Sequence, residues 1–143
     1  MVNLFASTSE TPEQAMESIE RIGFRSGEKF TEKLFFDQPP TSFQANRVGI
    51  SSFLRHSFWP IAFKGNATIL AGSYENMFTI EDTDFIWTRS FSLTGYSKSN
   101  LQLYLQYSCG MIRGAIKQLG YRAKVTGSCQ SSPKHCQFVI EIS

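Results

Sequence analysis

Three cysteines and two histidines are the side chains in this sequence with the chemistry to hold a metal or attack a substrate. Cys129, His135 and Cys136 lie together in the stretch SCQSSPKHC. Two thiolates and an imidazole suit zinc, but a closed zinc site takes four ligands and this spacing matches no standard one. A packed or exposed thiol pair is the alternative, and no metal is assigned. Cys109 stands in an apolar helical stretch with no histidine or carboxylate close in sequence. A nucleophilic cysteine needs a base in reach, and His56 is the only other candidate; a core cysteine is the simpler assignment. No catalytic residue and no cofactor are assigned.

Charge offers a second kind of site. Arg21, Arg25, Lys29 and Lys33 recur every four residues and form one ridge on a helix, with Glu17, Glu20, Glu28 and Glu32 alongside. Two readings are open: a solvated face with ion pairs, or a contact with an anionic membrane or acidic partner. Near an anionic surface each such cation contributes up to about 1 kcal/mol, enough to assist residence without anchoring the chain. The net charge of +2 is small and argues against a dedicated nucleic-acid binder.

The elements that must position these residues follow from pattern. Thr11, Pro12 and Gln14 open a first helix with cap, first-turn proline and capping box. Ala15, Ile19, Ile22, Phe30 and Leu34 carry its period to about Phe36, and Gly23 and Gly27 are points at which it can bend or split. Pro39 and Pro40 end it. A second helix is expected from about Ser42 to Trp59, with Ile50, Phe53, Leu54, Phe58 and Ile61 on one face and Pro60 as its breaker. FKGNATILAGSYEN is ambiguous and is taken as loop with one helical turn. MFTIED and FIWTRSF alternate like strands joined at Asp82-Thr83-Asp84. Ser99 or Asn100 is placed to cap a third helix, Leu101 to Leu119, closed by Gly120. YRAKVTGSC and CQFVIEIS form a last hairpin.

The expected fold class is therefore α+β, with helices packed against an antiparallel sheet of about four strands in two hairpins. Residues 1–10 read as a flexible segment and 11–143 as a single domain. With 41% apolar residues and 13 phenylalanines, the chain is too apolar and aromatic for disorder. No signal peptide, lipidation motif or membrane-length apolar run is visible, so a reducing, intracellular compartment is expected. The Asn66-Ala67-Thr68 glycosylation triplet carries no weight there.

The third helix poses a question of its own. Gly110 and Gly114 each cost about 1 kcal/mol relative to alanine inside a helix. Four apart, they share a face on which a neighbouring backbone can come close, and they are the candidate helix-packing residues. They are not a dinucleotide fingerprint, since they sit mid-helix rather than after a strand. Arg113 is expected to point away from that face. Ile19, Ile22, Phe24, Phe30 and Leu34 are the candidate partner interface, exposed aromatics being natural hot spots.

CGMIRGAIKQLGYRAKVTGSC followed by CQFVIEIS resembles the C-terminal signature of the small subunits of the transport protein particle (TRAPP), and the subunit-six type most of all. SIERIGFRSGEKFTEKL, FLRHSFWPIAFKG, and ENMFTIED followed by FIWTRSF resemble further blocks of that family in the same order, from about Glu17 to the C-terminus. The resemblance implies an α+β subunit without an active site, in a vesicle-tethering complex of ER-to-Golgi or intra-Golgi transport. It also implies pairing with other small subunits, especially a subunit-three-type paralogue, and indirect contact with a Rab GTPase whose nucleotide exchange the assembled complex promotes. Its implied place is cytoplasmic, peripheral at Golgi and endoplasmic reticulum membranes. Two departures stand out. Only ten residues precede Thr11, so the family's usual first helix is absent, or the numbered chain starts late, or a partner supplies that surface, and the flank of the Thr11–Phe36 helix is expected to leave an apolar patch. FDQPPTSFQANRVG contains no cysteine where the subunit-three type carries an acylated one, so no self-acylation is expected. The rival expectation is a small-molecule sensor of related architecture binding a hydrophobic ligand or tetrapyrrole, for which His56 and His135 are the only haem-ligating histidines available.

Overall fold

The amide of Thr11 donates to Gln14 Oε1 at 2.9 Å and the amide of Gln14 donates to Thr11 Oγ1 at 3.2 Å, a reciprocal capping box that starts helix α1, Pro12–Asp37. The structure is a computed structural model and describes residues 11–37, 47–72, 74–91 and 96–143. The expectations for residues 1–10, for the Pro39-Pro40 stop and for a helix start near Ser42 lie outside the described residues.

Helix α2 covers Arg47–Phe53, continues through a single π turn at Leu54–Phe58, and passes into the short α3, Trp59–Ala62. The sequence explains the wide turn. Pro60 has no amide to give and its ring crowds the carbonyl one turn back; a π turn immediately upstream relieves that crowding, and the Trp59 amide bonds to Leu54 O instead. Both Phe58 and its neighbour Trp59 are fully buried as a result. Ile61, expected on the buried face, is 53% exposed, because the helix is re-phased across the π turn.

Four strands follow: β1 Thr68–Ala71, β2 Met77–Asp82, β3 Ala123–Cys129 and β4 Cys136–Ile142, all antiparallel in the order β1-β2-β4-β3. Helix α4, Tyr96–Gln118, lies between β2 and β3 in the chain. It begins before Ser99 and Asn100, which fall inside it rather than at its cap. Gly120, at φ 95°, closes it: the Gly120 amide bonds to Lys117 O at 2.9 Å and the Tyr121 amide to Ile116 O at 3.2 Å.

One strand is not where the alternation put it. FIWTRSF does not pair; Thr88 and Arg89 donate their amides back to Phe85 O, and Phe91 donates to Thr88 O. The cause lies at the end of β2, where the Asp82 carboxylate takes the Asp84 amide at 2.9 Å and turns the chain out of the ladder. The alternating aromatics are anchors for a turn: Phe85 is fully buried and Trp87 stacks against Tyr107 at 5.7 Å. The missing partner of β2 is Thr68–Ala71, inside the stretch taken as loop.

The molecule is layered. One sheet face, carrying Phe78, Ile80, Phe138 and Ile140, packs on α4 and on an aromatic wedge of Phe58, Trp59, Phe63 and Phe85. Trp59 Nε1 donates to the buried Asp82 Oδ2 at 2.8 Å, tying the wedge to β2. On its far side α4 is covered by α1. The glycines account for the fit. Gly23 and Gly27 of α1 face the backbone of Tyr107 and Met111, while Gly110 and Gly114 of α4 face the backbone between Glu20 and Phe24 and between Phe24 and Glu28. Residue numbers climb together along the contact, so the two helices run parallel. A Cβ at Gly27 would lie 2.7 Å from Met111 C, and one at Gly110 or Gly114 would lie 2.8 Å from Phe24 N or Glu28 N, with the facing carbonyl oxygens closer still. Helix α1 is continuous through Gly23 and Gly27: the glycines admit a neighbour instead of breaking the helix.

Alanine at Gly27 or Gly110 gains about 1 kcal/mol of helix propensity but sets a methyl against rigid backbone. Each substitution is expected to lower unfolding free energy by upwards of about 3 kcal/mol in urea titrations, whereas Glu32→Ala on the open side stays within about 0.5 kcal/mol. Equal small effects at all three positions would mean the helices do not touch as described.

Candidate functional site

Of the residues proposed from sequence, most are drawn inward. Ile19 is 6% exposed. Phe30 stands edge-on to Phe58 at 5.6 Å, and the Phe24 ring lies under the Arg113 guanidinium, 3.9 Å from its centroid. Phe24 and Phe30 thus make contacts within the chain, and like Ile22 and Leu34 they are half-buried. Arg113 does not point away. It forks onto Glu20, with Nε 2.5 Å from Oε2 and Nη2 2.9 Å from Oε1. A bidentate pair over an aromatic face fixes rotation and register together. Tyr107 adds a third tie by donating its hydroxyl to Ser26 Oγ at 2.9 Å.

The open surface is the opposite flank of α1. Arg21, Arg25, Lys29 and Lys33 are all exposed along it. The ion pairs among the described residues are Arg89–Asp84, Arg113–Glu20 and His135–Glu81, so the ridge cations are free of ion pairs within the described part of the chain. The flank is charged where an apolar patch was expected, because the apolar residues of α1 turn toward α4 and Phe58. Its large exposed apolar side chain is Phe36, 87% exposed. Lys29, Glu32, Lys33, Phe35 and Phe36 line an open groove of about 540 Å³ at the end of the helix. Nothing in the sequence distinguished Phe36 from Phe35, which stacks on Phe53 at 5.3 Å; only the phase of the two helices does.

The reactive residues are structural or peripheral. Cys109 is 1% exposed, and burial pushes its thiol up to about 12. His56 is exposed on the π turn and far from the role of a base to a buried thiol. His135 pairs through Nε2 with Glu81 Oε2 at 2.9 Å on the outer side of the sheet, where Gln137 Nε2 reaches the same oxygen at 2.8 Å. Among the described residues no group of three or more histidine, cysteine, aspartate and glutamate side chains is placed to hold a metal. No helix of the described residues is long and apolar enough to cross a membrane.

A four-stranded antiparallel sheet is backed by a glycine-locked parallel helix pair with a cationic outer flank. The comparisons with known proteins identify its family. The model for the transport protein particle (TRAPP) component matches residues 1–143, and the chain belongs to that family. Its relatives include trafficking protein particle complex subunit 6B of Homo sapiens, 27% identical over 124 residues, 87% of this chain and 76% of that protein. An uncharacterised protein of Schizosaccharomyces pombe is 29% identical over 144 residues, and this chain spans 54% of its length. Among solved structures, a trafficking protein particle complex subunit 3 from Naegleria fowleri, covalently bound to palmitic acid, has the same fold: TM-score 0.77 at 14% identity over 99% of this chain and 88% of that one.

The Glu81 cluster gives a pH test. Hydrogen bonds from His135 and Gln137 hold the Glu81 carboxyl below its ordinary value of 4.5. A depressed carboxyl contributes stability above the unfolded-chain value and loses it as pH falls through the folded one. Glu81→Gln is therefore expected to lower the urea midpoint at neutral pH, with the difference from the parent shrinking as pH drops below about 4.5. A difference that grows in acid would reverse the assignment.

Proposed function

We propose that this chain is a non-catalytic structural subunit of a TRAPP-type vesicle-tethering complex. It pairs with a subunit-three-type paralogue and supports Rab nucleotide exchange by the assembled complex without an active site of its own. It works in ER-to-Golgi or intra-Golgi transport, in the cytoplasm and peripheral to those membranes. The observation that carries this is the family match along the full 143 residues. The subunit-six names of its relatives support the choice of role within that family.

The rigidity of α1 fits a scaffold. Four glycine contacts, the Arg113–Glu20 fork and the Tyr107–Ser26 bond hold the helix in one register, so its outer flank is presented without the ordering cost that a loose surface incurs on association. Mixed with a recombinant subunit-three-type paralogue at low micromolar concentration, the chain is expected to elute as a one-to-one complex by light scattering. Two separate monomers at that concentration would refute the pairing.

The free ridge of Arg21, Arg25, Lys29 and Lys33 suits an anionic membrane surface as a secondary contact. Flotation with vesicles containing anionic lipid is expected to carry the chain upward, and Arg25→Glu with Lys29→Glu to abolish this. Equal flotation with neutral vesicles would count against an electrostatic contact.

A further inference from the structure

Cys129 and Cys136 are strand partners at the turn end of the β3–β4 hairpin. The next pair outward is hydrogen-bonded, since the Gln130 amide donates to His135 O at 2.8 Å. Bonded and non-bonded pairs alternate along an antiparallel ladder, so Cys129 and Cys136 form a non-hydrogen-bonded pair, the kind that holds its side chains closer. Such pairs set their Cα atoms about 4.5 Å apart, inside the range of about 4.4–6.8 Å that a disulfide accepts. The two Sγ atoms lie 3.3 Å apart.

We propose that Cys129 and Cys136 are a dithiol modification site, closed to a disulfide by exchange with a low-molecular-weight disulfide of the glutathione class. Their unequal surroundings assign the roles. Cys136 is fully buried, touching Thr88 Oγ1 at 3.2 Å and Pro133 O at 3.5 Å. Cys129 is partly exposed at the hairpin end. Cys129 thiolate attacks one sulfur of the small disulfide, forming a mixed disulfide and releasing the first small thiolate. Cys136 then yields its proton to solvent, and its sulfur attacks Cys129 Sγ, expelling the second. Two protein thiols are oxidised to one disulfide and the reagent is reduced to two thiols, so atoms and electrons balance. Burial pushes the Cys136 thiol up to about 12, which keeps it from competing for the reagent. Its position beside Cys129 Sγ supplies the proximity that makes the second step intramolecular.

The bond would clamp a turn that already holds the 85–91 segment. The Phe85 amide donates to Lys134 O at 2.8 Å, and the Thr88 hydroxyl donates to Pro133 O at 2.6 Å. Closure across residues 129–136 makes those anchors part of a covalent ring.

The full chain is equilibrated in glutathione buffers of graded ratio, quenched with acid, alkylated and mapped by mass spectrometry. The expected product is a Cys129–Cys136 disulfide with Cys109 still reduced. In Cys136→Ser a glutathione adduct accumulates on Cys129, whereas Cys129→Ser is expected to react at least about tenfold more slowly at Cys136, as a buried thiol should. Continued protection of Cys109 from alkylation reports that each variant is folded. The effective concentration of the native pair should exceed that of the urea-unfolded chain by about tenfold or more. An adduct that forms first on Cys136 or Cys109, or a native effective concentration no higher than the unfolded one, overturns the proposal.

Discussion

Two helix backbones in contact, with no side chain between them, set the terms for the rest of this molecule. Gly23 and Gly27 on one helix and Gly110 and Gly114 on the other each admit the opposite main chain. Attraction across such a seam comes from dispersion and from weak Cα–H···O contacts, each of second order. It becomes useful because the closeness lets longer side chains reach across. Arg113 lies over Phe24 and forks onto Glu20, while Tyr107 reaches Ser26. A seam one methyl wider would put those ties out of reach. The four glycines and three ties therefore act as one unit, and the cost of glycine inside a helix is offset jointly.

That seam explains why α4 is apolar around most of its girth. It is the middle layer, with α1 on one side and the sheet on the other. Gly127 continues the theme on the sheet side, where a Cβ would lie 2.9 Å from Cys109 Sγ. The aromatic wedge completes the inner face, held in place by the bond from Trp59 to Asp82. Asp82 has two duties: one carboxylate oxygen holds the indole, and the other turns the chain out of β2. Burying a carboxylate is tolerated when each oxygen has its donor.

Much of this was legible in the residues. The capping box at Thr11, the Gly120 stop and the last hairpin follow local rules that depend on a few neighbouring positions, and each stands in the structure. FIWTRSF and TILA were exchanged because alternation reports which residues are buried and not what buries them. Phe85 and Trp87 are inward on a turn, while TILA offers four residues and little contrast. Both glycine pairs were visible as equal spacings, yet nothing local said they face one another. The direction of Arg113 was missed for the same reason: its partner Glu20 lies 93 residues away. The basic ridge was plain from its period, but its freedom from ion pairs among the described residues shows only in the structure.

The parallel course of α1 and α4 has a consequence for how the chain reaches this shape. The seam joins residues 81 to 93 positions apart, so a large loop must close before it can form. During synthesis α1 leaves the ribosome before α4, and its groove is not made until α4 follows. A lone helix carrying two interior glycines is marginal in water. Helix α1 is thus made well before α4 and is secured only after it, and its cationic flank is aligned only once the remainder is in place.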